Sequence, residues 1–194
     1  MSQILDSGNR REFETGAVRD IAEGKGRMDL LPLREIALFI DFCKNPAYPV
    51  SDEITISEVF SNMNTFLQTG GTDNIRVILK SFIQTNYKSE NLDDSIRNAI
   101  LDLSIHYEQG AAKYEERNWE KGINCHCYVD SALRHFVKWD RGDTDEPHDR
   151  AFMWNLFGLL WTIKNKPEMN VLPYNKTDSR PFVYYKKRPR DFSI

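Results

Sequence analysis

Apolar residues recur every three or four positions along most of the chain, the spacing that places them on one face of an α-helix. The longest such pattern runs from Asp93 through Tyr114 and predicts a long helix, which Gly110 interrupts. Shorter patterns predict helices over about 30–44, 127–141 and 148–164, and a pair of helices within 45–89, the first of which ends at Gly70-Gly71. The helix over 148–164 is apolar on nearly all sides, so it is predicted to be central and buried. Alternation at every second residue is confined to Phe182–Tyr185. The sequence therefore predicts an all-α helical bundle.

The two ends of the chain lack this helical pattern. Residues 1–29 contain several glycines and many charges, which indicates an extended N-terminal arm or loop. Residues 167–194 form a basic tail. A chain of 194 residues with 40% apolar content is large enough to build one core. We therefore expect a single domain over 1–194.

Composition narrows the classes of partner. A formal net charge of −3 gives no general attraction to nucleic acid or to an acidic membrane, so direct nucleic-acid binding is not expected. Three cysteines are too few for a disulfide framework and favour a reducing compartment. The chain has no apolar run long enough for a membrane span and no signal pattern at its N-terminus. These features predict a cytoplasmic protein.

Two carboxylates on the long helix are suited to a metal ion. Glu108 and Glu115 are seven residues apart and lie on nearly the same stripe of the helix. Mg²⁺ commonly binds proteins through one or two carboxylates together with substrate phosphates. A solvated acidic stripe explains the same pair, because glutamate is common on exposed helix surfaces.

The next helix places three polar residues beside its apolar stripe. Asp130 and Arg134 have the i,i+4 spacing of a surface ion pair. His135 is a natural proton carrier near neutral pH, although a single helical histidine also occurs as a structural residue. Both interpretations of His135 remain open at this point.

The last helix has one seam of small and polar residues in an otherwise apolar cylinder. The seam consists of His148, Ala151, Asn155, Gly158 and Thr162. A buried amide that finds no hydrogen bond costs about 1–3 kcal/mol. The Asn155 side chain is therefore expected to form a hydrogen bond either with a neighbouring helix or with a ligand. The small residues suit tight helix packing as well as a pocket floor.

The segment 113–122 between two helices places cations beside aromatic rings. Lys113, Arg117, Asn118 and Trp119 combine the groups that neutralise phosphates with those that stack on a base. An ordinary exposed connector has the same composition.

The order of these motifs is similar to that of a known family. The first block is GAVRDIAEGKGRMDLLP over Gly16–Pro32. Later blocks are HYE at 106–108, NWEKG at 118–122, DSALRH at 130–135, and WNL at 154–156 with His148 before it. Together these blocks resemble the bacteriophage dATP/dGTP diphosphohydrolase N-terminal family, which is itself similar to MazG-like nucleotide pyrophosphohydrolases.

This resemblance implies metal-dependent hydrolysis of a purine nucleotide, dATP or dGTP, to monophosphate and pyrophosphate. It implies Mg²⁺ or Mn²⁺ as the cofactor, with Glu108 and Asp130 as candidate metal ligands. It also implies catalytic roles for His135, Glu115 and His148. The candidate substrate-binding residues are Arg19, Lys25, Arg27, Lys113, Arg117, Asn118, Trp119, Arg134 and Asn155.

The chain departs from the family pattern in two respects. It lacks the paired acidic motif with which MazG-like enzymes hold their metals, and 45–90 looks like a two-helix insertion between the core segments 30–44 and 91–166.

One alternative is therefore a non-catalytic protein that sequesters a nucleotide or cyclic nucleotide and so counteracts host defence signalling; another is a structural helical protein. If phage-encoded, the chain would act in the host cytoplasm. We also expect a homo-oligomer, because the apolar helix pair could join subunits.

Overall fold

The computed structural model describes residues 10–20, 23–48 and 53–175. These ranges contain six α-helices and one small β-hairpin, so the predicted helical bundle is confirmed. The helices are α1 (Leu33–Cys43), α2 (Ile56–Thr69), α3 (Asp73–Asn86), α4 (Leu92–Tyr114), α5 (Cys125–Asp140) and α6 (His148–Asn165). None of the helices in the described ranges is long and apolar enough to cross a membrane.

Helix α6 lies at the centre of the bundle. It contacts α1, α3, α4 and α5, and its contact with α5 is the most extensive between any two helices described. Apolar residues occupy nearly all of its sides, and Phe152, Leu156 and Leu159 are fully buried. A helix that is apolar all round is stable only when other elements surround it. The central position predicted for this helix is therefore confirmed.

The helices α2 and α3 belong to the same core. Phe66, Ile75 and Phe82 are fully buried in one cluster with residues of α5 and α6. Helix α3 packs against α1, α4 and α6, and α2 packs against α5. The two helices therefore support the rest of the bundle directly. That 45–90 is an insertion relative to the family stays a prediction.

Local signals define the ends of α2. Thr55 caps its N-terminus, because its hydroxyl accepts the Glu58 N–H while the Glu58 carboxylate accepts the Thr55 N–H. Gly70 ends the helix in the left-handed conformation with φ of 74°. The predicted end of this helix at the Gly70-Gly71 pair is thus confirmed.

The predicted N-terminal arm contains secondary structure that its sequence pattern does not indicate. Strands β1 (Arg10–Glu12) and β2 (Val18–Asp20) pair antiparallel, with Arg11 opposite Arg19. Each strand has only three residues and is mostly exposed, so there is too little length for an alternating pattern. The predicted alternation at Phe182–Tyr185 lies outside the described residues, as does most of the predicted tail.

Candidate functional site

A cleft of about 670 Å³ opens between α4, α5 and α6. The turn Asn118–Lys121 between α4 and α5 closes one side of it. This volume is in the usual range for sites that hold a small organic ligand. The cleft combines aromatic rings, cations and histidines.

Aromatic side chains form one wall of the cleft. The ring centroid of Tyr107 lies 5.7 Å from that of Trp119 and 6.3 Å from that of Trp154. The Trp119 Nε1 and Tyr107 Oη atoms are buried and have no hydrogen-bond partner among the described residues. Burial also raises the pKa of Tyr107, so that its hydroxyl stays protonated. Such buried donors usually find a partner, and a ligand in the cleft would supply one.

A buried histidine stands beside this wall. The His106 ring lies 6.3 Å from Trp154, and its Nδ1 has no hydrogen-bond partner in the described part of the chain. Burial lowers the pKa of His106 to about 4, with further lowering from His135 and Arg150. The ring is therefore neutral at physiological pH and can both donate and accept a hydrogen bond.

Two cations line the rim of the cleft. The Lys113 Nζ lies 5.0 Å from the ring centroid of the exposed Tyr114. Arg117 pairs with Glu120 and donates from Nη2 to the backbone carbonyl of Asp29 at 2.6 Å. Lys113 and Arg117 therefore place positive charge at this rim, beside the carboxylate of Glu115, which pairs with Lys121.

The backbone of the rim is strained. Glu115 has φ of 134° and Arg117 has φ of 54°, and both line the cleft. Non-glycine residues rarely adopt these conformations, which cost about 1–3 kcal/mol each and cluster at functional sites. The strain agrees with a binding role for this turn.

Two histidines meet at the floor of the cleft. His135 Nδ1, on α5, lies 3.0 Å from His148 Nδ1, on α6. Both rings are largely buried, and the His135 ring borders the cleft. Burial lowers the pKa of His135, partly offset by the nearby Glu146. Neutral imidazoles are the form that binds metals or accepts protons.

Two carboxylates complete this group. Glu146 Oε1 lies 3.6 Å from the Nδ1 atom of each histidine, and Asp145 Oδ1 lies 2.8 Å from His148 Nε2. The His148 N–H donates to the Glu146 carbonyl across Pro147, a three-residue turn that holds Glu146 and His148 close together. Hydrogen bonds from Lys138 and His148 lower the pKa of Asp145 to about 2.

The structure brings together half of the residues predicted for the site. The cleft is lined by Lys113, Glu115, Arg117, Asn118, Trp119, His135 and Asn155. His148 lies directly behind His135 and does not border the cleft itself.

The remaining predicted residues lie away from the cleft. Arg19 and Lys25 are exposed on the arm, and Arg27 is held there by Asp29 and Glu116 at 2.7 Å each. Arg134 and Asp130 form an exposed ion pair of 2.8 Å on α5. This is the surface pair that their i,i+4 spacing also allowed.

Glu108 holds the N-terminal arm against α4. Its two carboxylate oxygens accept the backbone N–H groups of Gly24 and Gly26, each at 2.8 Å. Gly26 has φ of 81°, and a Cβ there would meet the Ser104 hydroxyl at 1.9 Å. Neither Glu108 nor Asp130 belongs to a group of converging metal-ligand atoms within 10–20, 23–48 and 53–175. We therefore do not assign a metal to this pair.

Replacing Glu108 with alanine is expected to release the arm. The change removes both acceptors of charge-assisted hydrogen bonds, each worth about 1.5–3 kcal/mol. Amide hydrogen exchange at Gly24 and Gly26 should become at least about 10-fold faster. Glu108→Gln keeps one acceptor oxygen and should give an intermediate rate. Unchanged exchange in Glu108→Ala would show that other contacts hold the arm.

The small-residue seam of α6 serves both of its predicted purposes. Ala151 and Asn155 line the cleft, whereas Gly158 packs against the buried ring of Tyr128 on α5. Asn155 Nδ2 donates to the carbonyl of Ala151 at 2.7 Å, within its own helix, an outcome that the sequence reasoning did not consider.

Several residues of the site were missed by the sequence reasoning. They are Asp145, Glu146, His106, Tyr107 and Trp154. The pattern His135 followed by Glu146-Pro147-His148 contained a usable signal, because two histidines and a carboxylate near adjoining helix ends are a common metal-ligand set. The orientation of the aromatic residues had no sequence signal beyond their helical spacing.

The described residues form a helical bundle with a polar and aromatic cleft between three helices, a place where small-ligand sites often lie. Residues 84–171 match the family model described as dATP/dGTP diphosphohydrolase, N-terminal. The match confirms the resemblance for this region, which is less than half of the chain and contains α4, α5 and α6. The block Gly16–Pro32 lies outside it. No curated protein and no solved structure matches the chain.

Proposed function

We propose that the cleft binds a purine deoxynucleoside triphosphate and hydrolyses it, with a divalent metal ion, to monophosphate and pyrophosphate. The main support is the overlap between the cleft and the family match. Every residue that lines the cleft, except Leu30, lies within 84–171. The matched segment therefore forms nearly the whole wall of the ligand-sized cavity, and its family description names this reaction class.

The aromatic wall suits the base of such a substrate. A purine ring can lie against the part of this aromatic wall that borders the cleft, and stacking of a base on an aromatic side chain contributes about 1–3 kcal/mol. The unpartnered Trp119 Nε1 and His106 Nδ1 atoms can bond the edge of the base. A nucleotide would thereby satisfy buried groups that otherwise remain unpaired.

The cationic rim suits the phosphates. Lys113 has no carboxylate partner among the described residues, and its Nζ atom lies 5.0 Å from the ring centroid of Tyr114. Arg117 is held in place by Glu120 and Asp29, so it presents a fixed guanidinium to the cleft. Together the two cations offset part of the triphosphate charge.

In the proposed reaction a water oxygen attacks the α-phosphorus of the substrate. The bond from that phosphorus to the bridging oxygen breaks, and pyrophosphate leaves. Glu115 and His135 both line the cleft and can accept the proton that the water loses. A bound divalent metal ion would neutralise phosphate charge and lower the pKa of the attacking water.

The test is to incubate the purified protein with each dNTP and NTP in the presence of Mg²⁺, Mn²⁺ or Zn²⁺. Monophosphate and pyrophosphate are then separated by chromatography and quantified. Purine-selective release of both products in equal amounts supports the proposal. Stoichiometric nucleotide binding without turnover overturns it in favour of a sequestering protein.

Replacing Lys113 with methionine is expected to raise the KM for the nucleotide by roughly 10- to 100-fold. The change removes one charge-assisted contact to phosphate, worth about 1.5–3 kcal/mol, and keeps the aliphatic stem. Lys164→Met, at an exposed position on α6 outside the cleft, is the matched control and should leave KM unchanged. Equal KM values for the two variants would remove Lys113 from the binding site.

A further inference from the structure

We propose that His135, Glu146 and His148 bind a divalent transition-metal ion, for which Zn²⁺ is the best fit. Their ligand atoms form a compact triangle in the described structure. The two Nδ1 atoms are 3.0 Å apart, and Glu146 Oε1 is 3.6 Å from each of them. This ligand set differs from the Glu108 and Asp130 pair that the sequence predicts.

The triangle has the dimensions of a metal site. Donor atoms bound tetrahedrally to zinc at about 2.0–2.1 Å stand about 3.3 Å from one another. The three observed separations fall on either side of this value. An ion at the centre of the triangle would therefore reach all three atoms without a large side-chain movement.

Asp145 orients one of the histidines for this role. Its carboxylate accepts a hydrogen bond, so the proton of the neutral His148 ring lies on Nε2, 2.8 Å from Asp145 Oδ1. The Nδ1 lone pair of His148 then points toward His135 and Glu146. Metal-binding histidines almost always have such a partner on the other ring nitrogen.

The charges around the triangle balance in favour of a cation. Three positive groups near the triangle repel a bound cation. They are the N-terminal end of the α6 dipole and the side chains of Arg134 and Lys138. Lys138 is neutralised by Asp145 at 2.6 Å, and Arg134 by Asp130 at 2.8 Å. Glu146 then supplies a negative charge that pairs with no lysine or arginine among the described residues.

The donor set distinguishes between metals. Two imidazole nitrogens and one carboxylate suit zinc and other first-row transition metals, whereas Mg²⁺ prefers six oxygen ligands in octahedral geometry. The site therefore favours Zn²⁺ over the Mg²⁺ that the resemblance implies.

The fourth coordination position opens into the cleft. His135 and Glu146 both line the cavity, and the Glu146 side chain is 48% exposed. A water molecule or a phosphate oxygen can reach this position. Use of this position in hydrolysis rests on the proposed function. Metal binding would leave Glu115 as the proton acceptor, because a metal-bound His135 Nδ1 cannot accept a proton.

The site is tested on nucleotide-free protein that has been stripped with a chelator. Binding of Zn²⁺, Mn²⁺ and Mg²⁺ is measured separately by calorimetry and by elemental analysis after dialysis. We expect one Zn²⁺ per chain, weaker Mn²⁺ binding and no Mg²⁺ binding at this site. ¹⁵N NMR should show the His135 proton moving from Nδ1 to Nε2 when zinc binds.

Variants identify the ligands. Glu146→Gln, at a half-exposed position, should abolish stoichiometric zinc binding without unfolding the chain. Asp145→Asn should weaken binding by about 10- to 100-fold, as expected for a residue that orients a ligand. Asp41→Asn, an exposed carboxylate on α1, is the matched control and should bind zinc as the unmodified chain does.

Two results would overturn the site. One is the absence of zinc binding by the folded protein, which would make the histidines a simple hydrogen-bonded pair. The other is loss of binding in Asp143→Asn with retention in Glu146→Gln, which would move the metal to Asp143, Asp145 and His148, where ligand atoms also converge. Neither result depends on catalysis, so failure of the site and failure of nucleotide hydrolysis are separate outcomes.

Discussion

Replacing Phe82 with alanine is expected to lower the free energy of unfolding by about 3–5 kcal/mol. Phe82 is fully buried on α3, and its ring centroid lies 4.6 Å from that of Phe152 and 4.8 Å from that of Trp139. The change would leave a cavity where α3 supports both α5 and α6. Urea denaturation followed by circular dichroism measures the loss.

A second phenylalanine provides the matched control. Phe60 lies on α2 and is 45% exposed, so Phe60→Ala should cost no more than about 1 kcal/mol. The comparison also bears on the segment 45–90. If Phe82→Ala costs as little as Phe60→Ala, α3 is an accessory that the core does not need. The expected difference would show that the helix pair is required for the fold that forms the cleft.

Replacing Gly158 with valine is expected to destabilise the protein by about 3 kcal/mol. A Cβ at this position would lie 2.6 Å from Cε1 and 3.0 Å from Cζ of Tyr128. The Tyr128 ring is only 1% exposed, so it cannot move aside into solvent. Overpacking of this kind costs about 1–3 kcal/mol, and valine adds two methyl groups beyond the Cβ. Thermal or urea unfolding measures the effect.

Gly110 gives the control, since it also lies inside a helix. A Cβ there would meet no atom of the described ranges within 4 Å. Gly110→Val should therefore be neutral or slightly stabilising, because valine has a somewhat higher helix propensity than glycine. A similar loss of stability in both variants would contradict a steric role for Gly158.

The Gly158 contact also has a functional consequence. Gly158 allows α6 to approach α5 closely, and these two helices supply His148 and His135. A valine that separates the helices should lengthen the distance between the two histidines. We therefore expect Gly158→Ala, the milder change, to weaken zinc binding while the chain remains folded.

The predictions of helices succeeded where the apolar pattern was long. Helix α4 begins at Leu92 and ends at Tyr114, almost as its pattern predicts. The end of α2 at Gly70 and both ends of α6 were also predicted well. Hairpin residues such as Arg11 and Arg19 gave no comparable signal, since their short strands face solvent.

The functional residues were predicted less evenly. Lys113 and Arg117 lie at the cleft because a short connector between two packed helices keeps them there. Glu108 was predicted as a metal ligand from the family resemblance, and its position on the helix stripe allowed this role. Its actual partners are backbone N–H groups at Gly24 and Gly26, more than 80 residues away in sequence. No local sequence pattern shows that the N–H groups of a distant arm will donate hydrogen bonds to this carboxylate.

The sequence by itself determined the helical class, the positions of the helices and the family resemblance over 84–171. These properties depend on residues that are close together in the chain, so the periodicity and motifs of the sequence are enough to predict them. Only the tertiary structure decided that His135 meets Glu146 and His148, and that Glu108 binds the arm. Such contacts depend on how α5 and α6 pack around Gly158, a balance of many distant interactions that local spacing does not encode.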